Sequence, residues 1–112
     1  MTTKELTRPL RVLQLTDPHL MARADGDLLG VKTRESLQAV IGEVLKAHGQ
    51  PDLILATGDL AQDGSVDAYR GFGESLQVFS CPSVWIAGNH DHVDNLVRVV
   101  SEYGASARHV IQ

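Results

Sequence analysis

Residues 53–59 read LILATGD: an aliphatic run, Leu53–Ala56, that passes through Thr57 and Gly58 into Asp59. A short continuous apolar run that ends in polar residues and glycine reads as a buried strand of a parallel sheet. The same pattern occurs on either side. Leu10–Leu15 (LRVLQL) runs into Thr16, Asp17, Pro18 and His19, and Val84–Ala87 (VWIA) runs into Gly88, Asn89, His90 and Asp91.

Helical patterns separate these runs. Glu35–Ala47 places Leu37, Val40, Ile41, Val44 and Leu45 on one apolar face, with Thr33 or Ser36 available to cap its start and Gly49 followed by Pro51 to end it. Ser65–Val78 carries Tyr69, Phe72 and Leu76 on one side, although Gly71 and Gly73 weaken the helical signal. Val93–Tyr103 is a third helix, stopped near Gly104, and Arg108–Gln112 reads as the start of a fourth strand. Met21–Gly30 reads as an irregular loop. The order β-α-β-α-β-α-β implies an α/β fold with a parallel sheet and right-handed crossovers.

Composition bounds the function. The chain has 112 residues, one domain's worth, and 43 % of them are hydrophobic, too many for a disordered chain. With 14 acidic and 10 basic residues the formal net charge is −4, which argues against a non-specific nucleic-acid binder. It leaves a phosphate substrate open, because a metal ion supplies positive charge locally. No apolar stretch approaches the ~20 residues of a membrane span. The N-terminal MTTKELTRPLR lacks the apolar core of a signal peptide, so the expected location is cytoplasmic. The single cysteine, Cys81, excludes an internal disulfide framework and a multi-cysteine zinc site.

In an open parallel sheet the carboxyl ends of neighbouring strands lie side by side, and ligands bind there. Asp17, His19, Asp59, Asn89, His90 and Asp91 are thereby gathered at one edge. Carboxylate, imidazole and amide without thiolate suit Mn, Fe, Co, Zn or Mg better than a structural zinc. A carboxylate can bridge two cations, which suits Asp59 in the middle run, and His19 can reach the ion that Asp17 reaches. Taken singly, each has a plainer reading: an aspartate after a strand is usually a turn former or helix cap. Asn89 alone reads as a cap, His48 and His109 as surface residues, Trp85 as core, and Cys81 as a small buried residue. Three successive strand ends carrying ligand-type residues make the plain reading of the whole set improbable.

The set Asp17-x-His19, Gly58-Asp59 and Gly88-Asn89-His90-Asp91 resembles the calcineurin-like metallophosphoesterase superfamily. The stretches VLQLTDPHL, LLGVKTRESLQAVI, DLILATGDLAQD and PSVWIAGNHD are similar to its bacterial 3′,5′-cyclic-AMP phosphodiesterase branch. The resemblance implies a four-layer α/β/β/α sandwich, of which residues 1–112 would form a partial domain, the N-terminal half. It implies two divalent or trivalent metal ions: Asp17 and His19 on the first, Asp59 bridging, Asn89 on the second. His90 would contact the phosphate or leaving oxygen beside Asn89, Asp91 would orient His90 by hydrogen bond, and a metal-bridging hydroxide would attack phosphorus. The substrate would be cyclic AMP or another small phosphoester, with Met21–Gly30 and Val31–Thr33 bordering its pocket.

The family's later histidine motifs are not among these residues. By resemblance the chain holds four of seven protein ligands, so the expectation is weak hydrolysis by the chain alone, even with manganese. A bare sheet face with a tendency to self-associate is also expected. Two further readings remain: an inactive remnant, or a non-catalytic α/β signalling module such as a phospho-acceptor domain. The latter needs a late lysine, whereas the chain has only Lys4, Lys32 and Lys46.

Overall fold

A computed structural model of the chain describes residues 9–103 and 106–108. The three apolar runs become β1 (Val12–Leu15), β4 (Leu53–Thr57) and β5 (Ser83–Ile86), which lie parallel in that order; β6 (Ser106–Arg108) completes the sheet beside β5. The fourth strand thus begins two residues earlier than the sequence suggests, and residues 109–112, where that expectation chiefly fell, lie outside the described residues. The register sets Leu13 opposite Ile54 and Ala56 opposite Trp85.

The crossovers are α1 (Thr33–His48), α2 (Val66–Ser75) and α3 (Val93–Glu102). Each crossover adds the next strand on the same side of the last. Right-handed connections stepping in one direction place every helix on one face of the sheet. That face holds the core. Leu15, Ile54, Ala56 and Trp85 are buried there with Leu37 and Ile41 of α1, Tyr69 and Phe72 of α2, and Leu96 and Val99 of α3. The Phe72 and Trp85 rings meet edge to face, centroids 4.9 Å apart.

The opposite face is bare among the described residues. Val12 is 50 % exposed, and Leu53, Leu55, Val84 and Ile86 are only half-buried. Burial on both faces, expected from the continuous apolar runs, is therefore met on one face alone. The described residues form a four-stranded parallel sheet covered by one helical layer, with a separate two-stranded hairpin, the α/β arrangement expected from the sequence.

Four local expectations change. The apolar stripe of α1 is wider than its contact: Leu37 and Ile41 are buried, whereas Val40 is 48 % exposed. Neither Thr33 nor Ser36 caps α1. Lys32 holds the N-cap position without a side-chain bond, because a strand runs straight into the helix. That strand, β3 (Val31–Lys32), pairs antiparallel with β2 (Asp27–Leu28), so the end of the irregular loop is a hairpin. Its turn residues, Leu29 and Gly30, both have positive φ, 52° and 86°, the pattern that matches the twist of paired strands. The second helix shortens to α2, with Ser65 as its cap accepting from the Ala68 N–H at 3.1 Å, and finishes in a tighter turn over Leu76–Val78.

The one-sided core makes the two faces of the sheet differ in sensitivity. Ile54→Ala should cost ~2–5 kcal/mol of unfolding free energy. Val12→Thr, on the bare face, should fall within ~0.5 kcal/mol. Urea denaturation of the two variants checks this.

Candidate metal centre

Beyond their carboxyl ends, β1 and β4 stay side by side. The Asp17 N–H donates to the Gly58 carbonyl (3.1 Å), His19 N–H to Asp59 (3.0 Å) and Leu20 N–H to Leu60 (2.9 Å). This backbone ladder carries two loops together, and with them three side chains. Ligating atoms of Asp17, His19 and Asp59 lie within 4.8 Å of one another. His19 Nε2 is 3.6 Å from Asp17 Oδ1. The Thr16 hydroxyl stands between the Thr57 carbonyl oxygen (2.9 Å) and the Asp17 carboxylate (2.7 Å), which steadies the latter.

Two features mark this as more than a turn. Among the described residues, four non-glycine residues have positive φ, and Asp17 (55°), His19 (49°) and Asp59 (50°) are three of them. Left-handed backbone at such residues costs on the order of 1–3 kcal/mol each and persists where the surroundings over-determine it. Furthermore, no lysine or arginine among the described residues pairs with Asp17 or Asp59. Two carboxylates and an imidazole converging without a basic partner fit a divalent cation, and oxygen and nitrogen donors without sulfur suit the metals expected from the sequence.

The third strand end joins from the other side. Asn89 lines a depression of about 340 Å³ with Asp17, Asp59 and Gly88. The His90 N–H donates to Asp59 Oδ1 at 2.8 Å, fixing the central carboxylate. The His90 ring meets the His19 ring edge-on with centroids 5.8 Å apart, beside the three-residue cluster and not in it. Gly58 and Gly88 make this approach feasible. Gly58 has φ 88°, and a Cβ on it would sit 3.2 Å from Gly88 Cα; a Cβ on Gly88 would collide with the Asp59 amide nitrogen and lie 2.7 Å from Asp59 Oδ1.

Asp91 takes a different place from the one expected. Its carboxylate accepts from the N–H groups of Leu60 (3.3 Å), Ala61 (3.0 Å) and Gly88 (2.7 Å) and from the Tyr69 hydroxyl (2.9 Å). None of these donors belongs to His90. The carboxylate instead ties the β4–α2 loop, the β5–α3 loop and helix α2 into one unit. Tyr69 is fully buried, and its oxygen also accepts from the His92 N–H at 2.8 Å. Burial, and then the hydrogen bond to Asp91, push its phenol well above the ordinary value of 10.0.

The other histidines separate from the site. His92 Nδ1 caps α3 by accepting from the Asn95 N–H, the His48 carbonyl accepts from Arg11 at the end of α1, and His109 lies outside the described residues. Cys81 is half-buried and burial raises its thiol pKa, in keeping with a small packing residue. Sequence reasoning did not assign Gln62, whose side-chain oxygen lies 2.7 Å from His19 Nδ1, or Tyr69. The sequence signals for Gln62 are a polar residue on the loop that follows Asp59 and its place in the stretch DLILATGDLAQD that carries the resemblance.

A family model for calcineurin-like phosphoesterases matches residues 10–110. The chain belongs to this family. It is 45 % identical over 107 residues to the 3′,5′-cyclic adenosine monophosphate phosphodiesterase CpdA of Escherichia coli (strain K12), a match that takes in 90 % of this chain and 39 % of that protein. The corresponding enzyme of Haemophilus influenzae is 40 % identical over 93 residues, covering 83 % of this chain and 34 % of its own length. A probable cyclic nucleotide phosphodiesterase of Pseudoalteromonas sp. is 34 % identical over 104 residues, 91 % of this chain and 39 % of that protein. The chain thus spans between about a third and two fifths of the length of these relatives. Among the described residues no helix is long and apolar enough to cross a membrane.

Tyr69→Phe leaves Asp91 short of a donor and the His92 N–H without its acceptor, and should cost ~1–3 kcal/mol. Because the folded phenol holds its proton more tightly than the unfolded one, its contribution is complete below pH ~10 and is lost as pH rises above that value. Urea midpoints at pH 8 and pH 10.5 should therefore fall more steeply for the wild type than for Tyr69→Phe. Gly88→Ala should displace Asp59 and cost ~1–3 kcal/mol in the same assay.

Proposed function

We propose that the chain provides part of a dinuclear metal centre for phosphodiester hydrolysis, with 3′,5′-cyclic AMP the favoured substrate. The observation that carries this reading is the convergence of Asp17, His19 and Asp59, with 4.8 Å between ligating atoms at most, on a family member whose matched relatives are described as cyclic-nucleotide phosphodiesterases. Asp17, His19 and Asp59 would hold one ion. Asp59, shared with the first, and Asn89 would hold the other. Bound there, the metals would lower the pKa of a water and stabilise the attacking and leaving oxygens of an in-line displacement.

The chain's own residues do the rest. His90 stands at the rim of the cluster, where its imidazole can hydrogen-bond a phosphoryl or leaving oxygen. Its backbone N–H meanwhile holds one oxygen of Asp59 in place. Asp91 and Tyr69 act on the site only by fixing the two loops. A second depression, about 410 Å³, is lined by Asp17 and His19 together with the apolar Leu28, Leu29, Val31 and Val40. A phosphate at the cluster would direct the remainder of its molecule along that apolar lining, which favours a nucleotide with a flat, weakly polar base over a bare phosphomonoester.

The first ion has three protein ligands from this chain and the second two, so metal binding should be stepwise, one ion much tighter than the other. Metal analysis of variants should rank Asp59→Ala as the most damaging. Asp17→Ala should weaken the tighter ion and Asn89→Ala the looser. In a complete enzyme carrying these residues, His90→Ala should leave metal content nearly intact and lower hydrolysis, by ~10²–10⁴-fold for a positioned acid–base group. Parallel assays of cyclic AMP, cyclic GMP and a bis-aryl phosphodiester test the substrate. Equal rates on all three would leave phosphodiester hydrolysis standing and remove the cyclic nucleotide. A metal-free His90→Ala protein would overturn the role given to that residue.

A further inference from the structure

We propose that Gln62 is a positioning residue that fixes the tautomer and ring orientation of His19, so that Nε2 is the unprotonated nitrogen facing Asp17 and Asp59. The inference rests on the metal-centre reading above and adds to it the residue that makes His19 a competent ligand.

The two nitrogens of the His19 ring face different partners. His19 Nε2 points to the carboxylate cluster, 3.6 Å from Asp17 Oδ1. The other nitrogen, Nδ1, is 2.7 Å from Gln62 Oε1. An amide oxygen has no proton to give, so at this distance Nδ1 is the donor and carries the hydrogen. A neutral imidazole has one N–H, and Nε2 is left with its lone pair directed at the cluster. The opposite amide orientation would donate an N–H hydrogen bond to an unprotonated Nδ1, leave the ring hydrogen on Nε2 and block the ligating position.

Gln62 is itself firmly held. Its backbone N–H donates to the Leu20 carbonyl at 2.7 Å, and Leu20 and Ala61 form a parallel bridge immediately before it. Leu20 and Ala61 are fully buried, and Ala61 is anchored through its N–H to Asp91. The chain thus runs from a buried staple to Gln62 and from Gln62 to the ring that faces the metal. Partners of this kind, on the far nitrogen of a ligating histidine, commonly change metal affinity by ~10–100-fold.

The test uses the 112-residue chain, ¹⁵N-labelled, with long-range ¹H–¹⁵N correlations read for His19 in the absence of metal, and Mn²⁺ affinity measured separately by equilibrium dialysis. In the wild type, Nδ1 should carry the proton. Gln62→Leu, which keeps bulk and removes the acceptor, should lose the tautomer preference and weaken Mn²⁺ binding by ~10–100-fold. Gln62→Glu restores an acceptor and should recover both, a rescue that simple filling of space would not give. His19 protonated on Nε2 in the wild type, or an unchanged tautomer in Gln62→Leu, would overturn the proposal. If Gln62→Leu fails to fold, the wild type and Gln62→Glu decide it by the same spectra. A wild type with the expected tautomer that takes up no Mn²⁺ would sink the metal reading while still supporting the assignment of Gln62.

Discussion

One half-buried carboxylate, that of Asp91, collects four donors from three separate segments: the N–H groups of Leu60 and Ala61, the N–H of Gly88 and the hydroxyl of Tyr69. Loops are the weakest part of an α/β sheet because their backbone groups lack a ladder. Here two of them share an anion that satisfies their orphan donors at once. Hydrogen bonds to a charged acceptor are worth roughly twice neutral ones, and a half-buried carboxylate with four donors is held from several sides. The position of Asp59 depends on this staple. Its chain is held at Leu60 and Ala61, and its side chain receives the N–H of His90, one residue before Asp91.

The same staple explains how left-handed backbone is sustained at Asp17, His19 and Asp59. Strain spread over three residues of two loops would relax by a shift of either loop. The β1–β4 ladder, continued through Asp17, His19 and Leu20 to Gly58, Asp59 and Leu60, prevents the first loop from sliding against the second. Asp91 prevents the second from lifting off the sheet. Carboxylates that would otherwise separate are thereby kept close, the arrangement a cation stabilises. The site is rigid because of its backbone, and the bare sheet face on the other side of Leu55 and Val84 does not enter into its geometry.

Much of this was legible in the sequence, and the reason is periodicity joined to chemistry. Uninterrupted apolar runs such as Leu53–Ala56 belong to parallel strands, and parallel strands align their carboxyl ends, so the convergence of Asp17, His19 and Asp59 followed from topology alone. What stayed hidden depended on partners far along the chain. The role of Asp91 requires knowing that Tyr69, twenty-two positions earlier, turns its hydroxyl inward. Gln62 is a polar loop residue until the fold sets it against His19. The hairpin was missed because Leu29 is a poor residue for a left-handed turn position, and Gly30 alone gives only half of the usual signal. Val40 read as core because a helical stripe shows which face is apolar, without showing how wide a neighbour covers it.

The proposed cation site of Asp17, His19 and Asp59 is held in shape by the metal-free fold. Anomalous diffraction from crystals of the chain grown with Mn²⁺ tests it most directly. The account predicts a peak bonded at once to Asp17, His19 Nε2 and Asp59, at about 2.0–2.3 Å from each donor by analogy with other first-row ions, with Gln62 still on Nδ1. A peak elsewhere on the molecule, or an ion bound through His19 Nδ1, would contradict it.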